Sequence, residues 1–283
     1  MNDPKAADAL RNRVEALAHN STPSDDAIAE FAESLLDALE RGIIRAAELT
    51  DDGSWRVNEW VKRGILLLFR FGRVVATDFF GERFFDKHTV PPQRLTLDRG
   101  IRIVPGGSAI RRGAYVAPGV ICMPPMYINI GAYIGEGTMV DSHALVGSCA
   151  QIGARVHVSA GAQIGGVLEP SSARPVIVED DAFIGGNVGI FEGVLVRSRA
   201  VIGAGVQLTA SIPVFDLVRE RLIRADAEGC LEIPAGAVVV AGTRMLADSS
   251  FAREHGLGLA CALIVKYRDD RTDARTVLES ALR

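Results

Sequence analysis

Apolar positions in the first hundred residues recur at helical spacing. Ile28, Phe31, Leu35, Leu36 and Leu39 form one stripe, and Trp60, Val61, Ile65 and Leu68 form a second that begins near Val57, after the turn at Asp52-Gly53. Ser24 followed by Asp25 and Asp26 marks the start of the first helix: a side-chain oxygen can accept from orphan N–H groups, and the acids complement the positive end of the helix dipole. From Ile110 the period changes to six. Val116, Cys122, Ile128, Ile134, Val140, Val146, Ile152, Val158 and Ile164 follow at that step, and every stop is apolar. Two positions before the later stops stand Ala132, Thr138, Ala144, Ala150, Val156 and Ala162, all small or β-branched. After an interruption the ladder resumes, shifted by two, at Val178, Ile184, Ile190, Val196, Ile202 and Leu208.

A period of six matches neither a 3.6-residue helix nor plain strand alternation. It predicts a hexapeptide β-helix, in which three short strands close one triangular coil, ladder residues fill the prism and small residues sit near tight corners. Glycines such as Gly131, Gly135, Gly147, Gly153, Gly165, Gly185 and Gly203 suit the turns. At roughly 1.5–3 kcal/mol per buried aliphatic side chain, such a stack dominates its domain's core. The expected organisation is an N-terminal helical α/β domain over 1–105 and a β-helix over 106–242, then a C-terminal strand and helix over 243–283. A Pro- and Ser-containing loop at 166–177 and an excursion at 211–233 leave the coil. The final elements are expected at Cys261 to Tyr267 and Ala274 to Leu282.

Composition narrows the partners. The chain has 283 residues, 48% hydrophobic and 23% charged, enough for a sizeable buried core, and a net charge of −4 offers no footprint for nucleic acid or an anionic membrane. The stretch from Met1 to Asn20 mixes charges with alanines and lacks a signal peptide's apolar segment, and Gly64 to Phe69 is too short to span a bilayer. Cys122, Cys149, Cys230 and Cys261 have no zinc-like or C-x-x-C spacing, which suits reduced thiols in a cytoplasm.

A solenoid does not name a reaction; the letters on it say more. Gly131-Ala-Tyr-Ile-Gly-Glu-Gly-Thr-Met-Val-Asp141, Val146-Gly-Ser-Cys-Ala-Gln-Ile-Gly153 and Ile164-Gly-Gly-Val-Leu-Glu-Pro170 resemble the tetrahydrodipicolinate N-succinyltransferase family. So do Asn58 to Arg70, Phe84 to Lys87 and Ile233 to Val240, so that the likeness runs from about residue 40 to residue 267. The resemblance implies a mainly β protein built on a left-handed parallel β-helix, the handedness coming from the likeness and not from the period. It also implies a homotrimer with active sites between subunits, and transfer of a succinyl group from succinyl-CoA to the amino group of tetrahydrodipicolinate in the lysine/diaminopimelate pathway. The acyl-CoA is a co-substrate; no permanent cofactor, metal or covalent enzyme intermediate is required.

The amine must lose a proton as it attacks the thioester, so a carboxylate or imidazole within hydrogen-bond reach is needed as general base. Asp141 matches the family's catalytic aspartate, against a plain turn reading suggested by Asn129, Gly135, Gly147 and Ser159 in equivalent slots. His143 stands where better-known members carry tryptophan, and is a second candidate base; its bland reading is a surface or interface residue. The family segment Ala-Arg-Ser-Glu-Val-Val-Glu-Gly is here Gly186 to Gly193, with Asn187 in place of the arginine, Gly189 in place of the catalytic glutamate, and Glu192 retained. That departure is compatible with a divergent succinyltransferase, with a paralogue using acetyl-CoA in specialised metabolism of the tabtoxin type, or with a non-catalytic trimeric scaffold. The turns at Gly185, Gly186, Asn187, Gly203, Ala204 and Gly205 are candidates for close approach of pantetheine, and Arg102, Arg111, Ser148 and Glu169 for the substrate. Arg112 joins Arg102 and Arg111 as a candidate clamp for a dicarboxylate, against a plain reading of all three as solvated rim residues, and Cys149 is read as a buried small side chain rather than a nucleophile. A γ-type carbonic anhydrase reading needs three histidines, and only His143 and His157 lie in the ladder.

Overall fold

The computed structural model describes residues 4–79, 81–246 and 249–269. The expected closing helix, Ala274 to Leu282, lies outside the described residues.

Three helices open the chain: α1 (Pro4–Ala18), α2 (Asp25–Glu40) and α3 (Glu59–Phe71). The Ser24 hydroxyl caps α2 by accepting from the Ala27 amide at 3.3 Å. The α1 helix went unread in the sequence because its stripe is sparse, with only Leu10, Val14 and Leu17 buried along it. Between α2 and α3 lies a short hairpin, β1 (Ala47–Leu49) with β2 (Trp55–Val57), and after α3 a longer one, β3 (Val74–Phe79) with β4 (Glu82–Lys87). No described helix is long and apolar enough to cross a membrane.

From Arg102 the chain winds as a left-handed parallel β-helix of two-residue strands on three walls. The first wall stacks the strands at Arg102, Ile121, Met139, His157, Phe183 and Val201 and is continued by Ala237–Met245. The second stacks those at Ala109, Tyr127, Leu145, Gln163, Gly189 and Gln207, and the third those at Tyr115, Tyr133, Gln151, Ile177, Leu195 and Glu232. Each strand pairs in register with the strand one coil away, Ile134 with Ile152 and Val140 with Val158, for example. The six-residue ladder is the inward row: its residues from Val116 to Leu208 are at most 1% exposed, and Ile110 at the open end is 4% exposed. Thr138 shows why a polar residue is tolerated in the small slot. Its hydroxyl donates to the Gly153 carbonyl and accepts from the Val156 amide, so nothing polar is left unpaired.

The 166–177 segment loops out as expected, and the coil is regained at Val176 and Ile177, both fully buried. Beyond Leu208 an antiparallel pair, Val214–Asp216 with Arg221–Ile223, forms the excursion. Ala237–Met245 then pairs with Gly258–Tyr267, extending the first wall. The N-terminal elements cover the third wall: Ala47 packs with Ile177 and Leu195, and the Arg45 guanidinium lies 3.5 Å from the Tyr133 ring centroid while donating to Gln151. They also cover the edge joining the second and third walls, where Ile130 and Cys149 enter the helical core with Ile65 and Leu68.

Gly131 sits at that contact with φ +75°, and a Cβ there would lie 2.9 Å from both the Cys149 Sγ and the Ile65 Cδ1. Gly131→Ala therefore combines a left-handed backbone cost with overpacking, and a loss of about 2–4 kcal/mol in urea unfolding is expected. A change below about 0.5 kcal/mol would show that the helices do not press on the coil at this point.

Candidate active site

The chain's own N-terminal elements cover the third wall and part of the second–third edge, and the edge joining the first and second walls, which carries Asp141, is left open. Its corners are Met123 to Met126, Asp141 to Ala144, Ser159 to Ala162, Gly185 to Val188 and Gly203 to Val206. In the later four corners the third residue must adopt a left-handed conformation: His143 has φ 61°, Gly161 70°, Asn187 56° and Gly205 76°. The conformation of His143 is thus an architectural demand, not a mark of catalysis. Its amide donates to the Pro125 carbonyl, as that of Gly161 does to Ser142, Asn187 to Ala160 and Gly205 to Gly186. The His143 ring is exposed and makes no hydrogen bond among the described residues.

Asp141 is half-buried on this edge, and its Oδ1 accepts from the Ser142 amide at 2.7 Å. One carboxylate oxygen is thereby oriented and the other is left to meet a proton donor. The next three coils bring Ala160, Gly186 and Ala204 to the place held by Ser142, and among the described residues their amides have no acceptor. Elsewhere on the prism amides in this second corner position alternate between closed and bare: Ala154, Ser198 and Ala210 donate to Asp180, Glu179 and Glu192, whereas those of Glu136, Ser148, Asp180 and Glu192 have no acceptor among the described residues, so bare amides in three successive coils are found on the first–second edge. Coils stack at about 4.8 Å, so the bare amides form a donor column rising from Asp141. Access is good: a Cβ at Gly186 would meet only the Ala160 carbonyl, at 3.3 Å, and at Gly205 nothing within 4 Å. The pattern expected at Gly185, Gly186, Asn187, Gly203, Ala204 and Gly205 thus gathers on one edge with Asp141 and His143, and the bare amide of Ala160 is added to it by the structure.

The remaining candidates lie elsewhere in the single chain. Ser148 and Glu192 occupy the second–third edge, and Glu169 is exposed on the loop that leaves it. The Glu192 Oε2 accepts from the Ala210 amide at 2.8 Å, a turn-holding bond. Arg111 is engaged with Asp86 and Arg112 with Glu33 and Glu40, so these two guanidinium groups hold the N-terminal elements to the coil. Arg102 is exposed on the first strand of the first wall. His157 lies on that wall too, its ring stacked on Phe183 with centroids 4.8 Å apart.

Gly189 faces outward on the second wall yet is buried, because the Gln207 side chain bridges over it to the Asn187 carbonyl at 3.1 Å. A Cβ at 189 would lie 2.2 Å from the Gln207 Oε1 and 2.5 Å from the Phe191 ring. The glutamate slot of the resembling family is therefore filled as well as vacated. A cleft of about 820 Å³ between the β1–β2 hairpin and the third wall, lined by Arg45, Trp55, Tyr115, Tyr133 and Glu136, lies away from Asp141.

Three comparisons bear on this arrangement. A family model described as "Tetrahydrodipicolinate N-succinyltransferase N-terminal" matches residues 8–71, and one described as "Hexapeptide repeat of succinyl-transferase" matches residues 175–210. The chain is 43% identical over 266 residues to the 2,3,4,5-tetrahydropyridine-2,6-dicarboxylate N-succinyltransferase of Paramagnetospirillum magneticum, covering 90% of each. The chain belongs to the tetrahydrodipicolinate N-succinyltransferase family. Another family member, from Paraburkholderia xenovorans, is 42% identical over 97% of this chain and 95% of its own. A crystal structure from Campylobacter jejuni, provisionally named a 2,3,4,5-tetrahydropyridine-2-carboxylate N-succinyltransferase, superposes with a TM-score of 0.53 at 17% identity. It shares the fold over 88% of this chain, which spans 64% of that one's length.

No cysteine in this family member is placed to act as a nucleophile on the open edge. Cys122 and Cys149 are fully buried, and burial pushes both thiols up to about 12. With Cys261 also buried and Cys230 half-buried, a thiol-specific reagent at pH 8 is expected to modify about one thiol in the native protein and all of them after denaturation. Rapid labelling of Cys149 in the folded protein would contradict this placement.

Proposed function

We propose that this chain is an acyl-CoA-dependent N-acyltransferase that moves a succinyl group onto the amine of ring-opened tetrahydrodipicolinate, in the lysine/diaminopimelate pathway. Membership of the family supports the reaction class. The observation that carries the reading is the Asp141 carboxylate at the foot of a column of unsatisfied amides on the open edge.

In this reading the thioester lies along the first–second edge, its carbonyl oxygen accepting from column amides that stabilise the negative charge developing on it. The acceptor amine attacks the carbonyl carbon, Asp141 takes the proton released as the C–N bond forms, and the C–S bond breaks to release CoA, whose thiolate is then protonated. Arg102 is assigned to a substrate carboxylate by its charge and exposure. Ser148, Glu169 and Glu192 lie on another edge, so they reach this chemistry only when a second prism lies alongside the first. A homotrimer in which the second–third edge of one protomer faces the first–second edge of the next meets that need, and a soluble cytoplasmic location suits these substrates.

Two features favour secondary readings. The exposed, unbonded His143 ring beside Asp141 supports a role as alternative base. The sealed Gly189 supports a changed donor, such as acetyl-CoA in a specialised pathway of the tabtoxin type.

Asp141→Asn keeps size and removes basicity, and a fall of about 10²–10⁴-fold in kcat/KM is expected by thiol release from succinyl-CoA. Near-normal turnover in that variant would move the base to His143. Running the same assay with acetyl-CoA separates the donors: faster transfer from acetyl-CoA would overturn the succinyl assignment. Silence with both, in the presence of tetrahydrodipicolinate, would favour a scaffold. For the shared site, mixing inactive Asp141→Asn with an inactive variant altered at both Ser148 and Glu192 should restore activity through hybrid sites. Failure to do so on refolding together would argue for a site within one protomer.

A further inference from the structure

Lys62 is an anomaly in the helical part. It lies on the buried face of α3 among Trp60, Val61, Ile65 and Leu68, and it is 0% exposed. An ammonium without solvent is costly unless its protons are accepted, and replacing a buried charge by an apolar side chain of similar length is often neutral or stabilising. Packing alone would therefore favour methionine or leucine at this position. The ammonium has three protons to give. Among the described residues two carbonyls receive them, Pro170 at 3.1 Å and Ala173 at 2.7 Å. Burial draws the Lys62 ammonium below its ordinary pKa.

Both acceptors belong to the loop that leaves the second–third edge after Gly165. Its other ties lie at its two ends: the Val167 amide donates to the Ser148 carbonyl and Val167 packs on the coil core with Leu168 against the helical core, while the Arg174 Nε donates to the Gly193 carbonyl and the carbonyl of the buried Val176 accepts from the Gln151 amide. The stretch 169–173, which carries Glu169, is held to the helices from beneath by the Lys62 ammonium.

We propose that Lys62 is a positioning residue that latches the 166–176 loop in the pose that completes the acceptor's binding site. The latch rests on the transfer reading only for its consequence, since the loop edge must then face the Asp141 edge of a neighbouring protomer. The ammonium does not touch the reacting atoms; it sets where the loop carbonyls and Glu169 stand.

Lys62→Met in the full-length protein preserves length and removes the donors. The expected result is amide hydrogen exchange faster by about tenfold or more across 167–174, with exchange in α3 and the coil strands unchanged. The acceptor KM is expected to rise about tenfold with kcat within about threefold, because a misplaced loop weakens binding without altering the base. Should the methionine variant be recovered unfolded, Lys62→Gln, which keeps a donor and drops the charge, is read in the same two ways. Unchanged loop exchange in a folded variant would overturn the latch. Faster exchange with KM unchanged would overturn its link to the acceptor site. If the unaltered protein transfers no acyl group to any acceptor, the transfer reading falls, and the exchange measurement, which needs no turnover, still decides the latch.

Discussion

Everything in the larger half of this molecule follows from the requirement that three two-residue strands close around a column of aliphatic side chains. Each inward residue must fit against two others in its own coil and one above and below, at native packing density, so only aliphatic and small residues fill the interior. Closure takes a sharp turn after every strand, and most of these turns use a left-handed residue, whether glycine or, as at His143, Cys149 and Asn187, a residue with a side chain; the Met123 to Met126 corner uses none, and the corner at 191–194 uses two, Glu192 and Gly193. The interior row stabilises the prism; the corners, repeated at every coil with small changes of side chain, are the surface on which a site can be written.

Which edge stays open is decided by the cover. The N-terminal elements lie on the third wall and reach round to the second–third edge, using Arg45 on Tyr133, Ala47 on Ile177 and α3 on Gly131. The first–second edge keeps its amides bare in three successive coils, at Ala160, Gly186 and Ala204, whereas on the other edges the carboxylates Asp180, Glu179 and Glu192 interrupt the row at Ala154, Ser198 and Ala210. A solvated amide costs nothing in the free protein, whereas a fixed row of them offers donors already aimed when charge develops on a carbonyl oxygen. Arginines that a sequence reader assigns to substrate turn out to be shared between two jobs: Arg102 remains outward, and Arg111 with Arg112 ties the helices to the coil through Asp86, Glu33 and Glu40.

Much of this was legible in the letters, for reasons that are physical. A six-residue period has one common structural solution, so the ladder from Ile110 to Leu208 named its own inward row, and the spacing also located the loop that breaks it. Stripes as dense as those of α2 and α3 are legible in the same way, whereas α1 buries too few apolar residues for its period to stand out. The site was legible by residue type and not by arrangement. Asp141, Gly185 and Gly203 share an edge because their spacing is a whole number of coils once the loop is discounted, and Glu192 does not because it falls one corner later. Lys62 could not have been found: within a helical stripe a lysine reads as an exposed interruption, and only the arrival of a loop more than a hundred residues later gives its ammonium acceptors.

The filled slot at Gly189 bears on how such a site diverges. Deleting a carboxylate from a second-wall position would leave a gap one side chain wide, and here Gln207 leans from the next coil to bond the Asn187 carbonyl across it, with Phe191 alongside. The Gly189 position is thus covered by side chains from its own coil and the next rather than left open. An acid at position 189 meets the Gln207 Oε1 at 2.2 Å and the Phe191 ring at 2.5 Å, so it fits when the exposed end of Gln207 swings away and the ring gives. With position 189 covered, the groups that can take a proton on the open edge are those of the corner from Asp141 to His143, which is where the proposed proton transfer is placed.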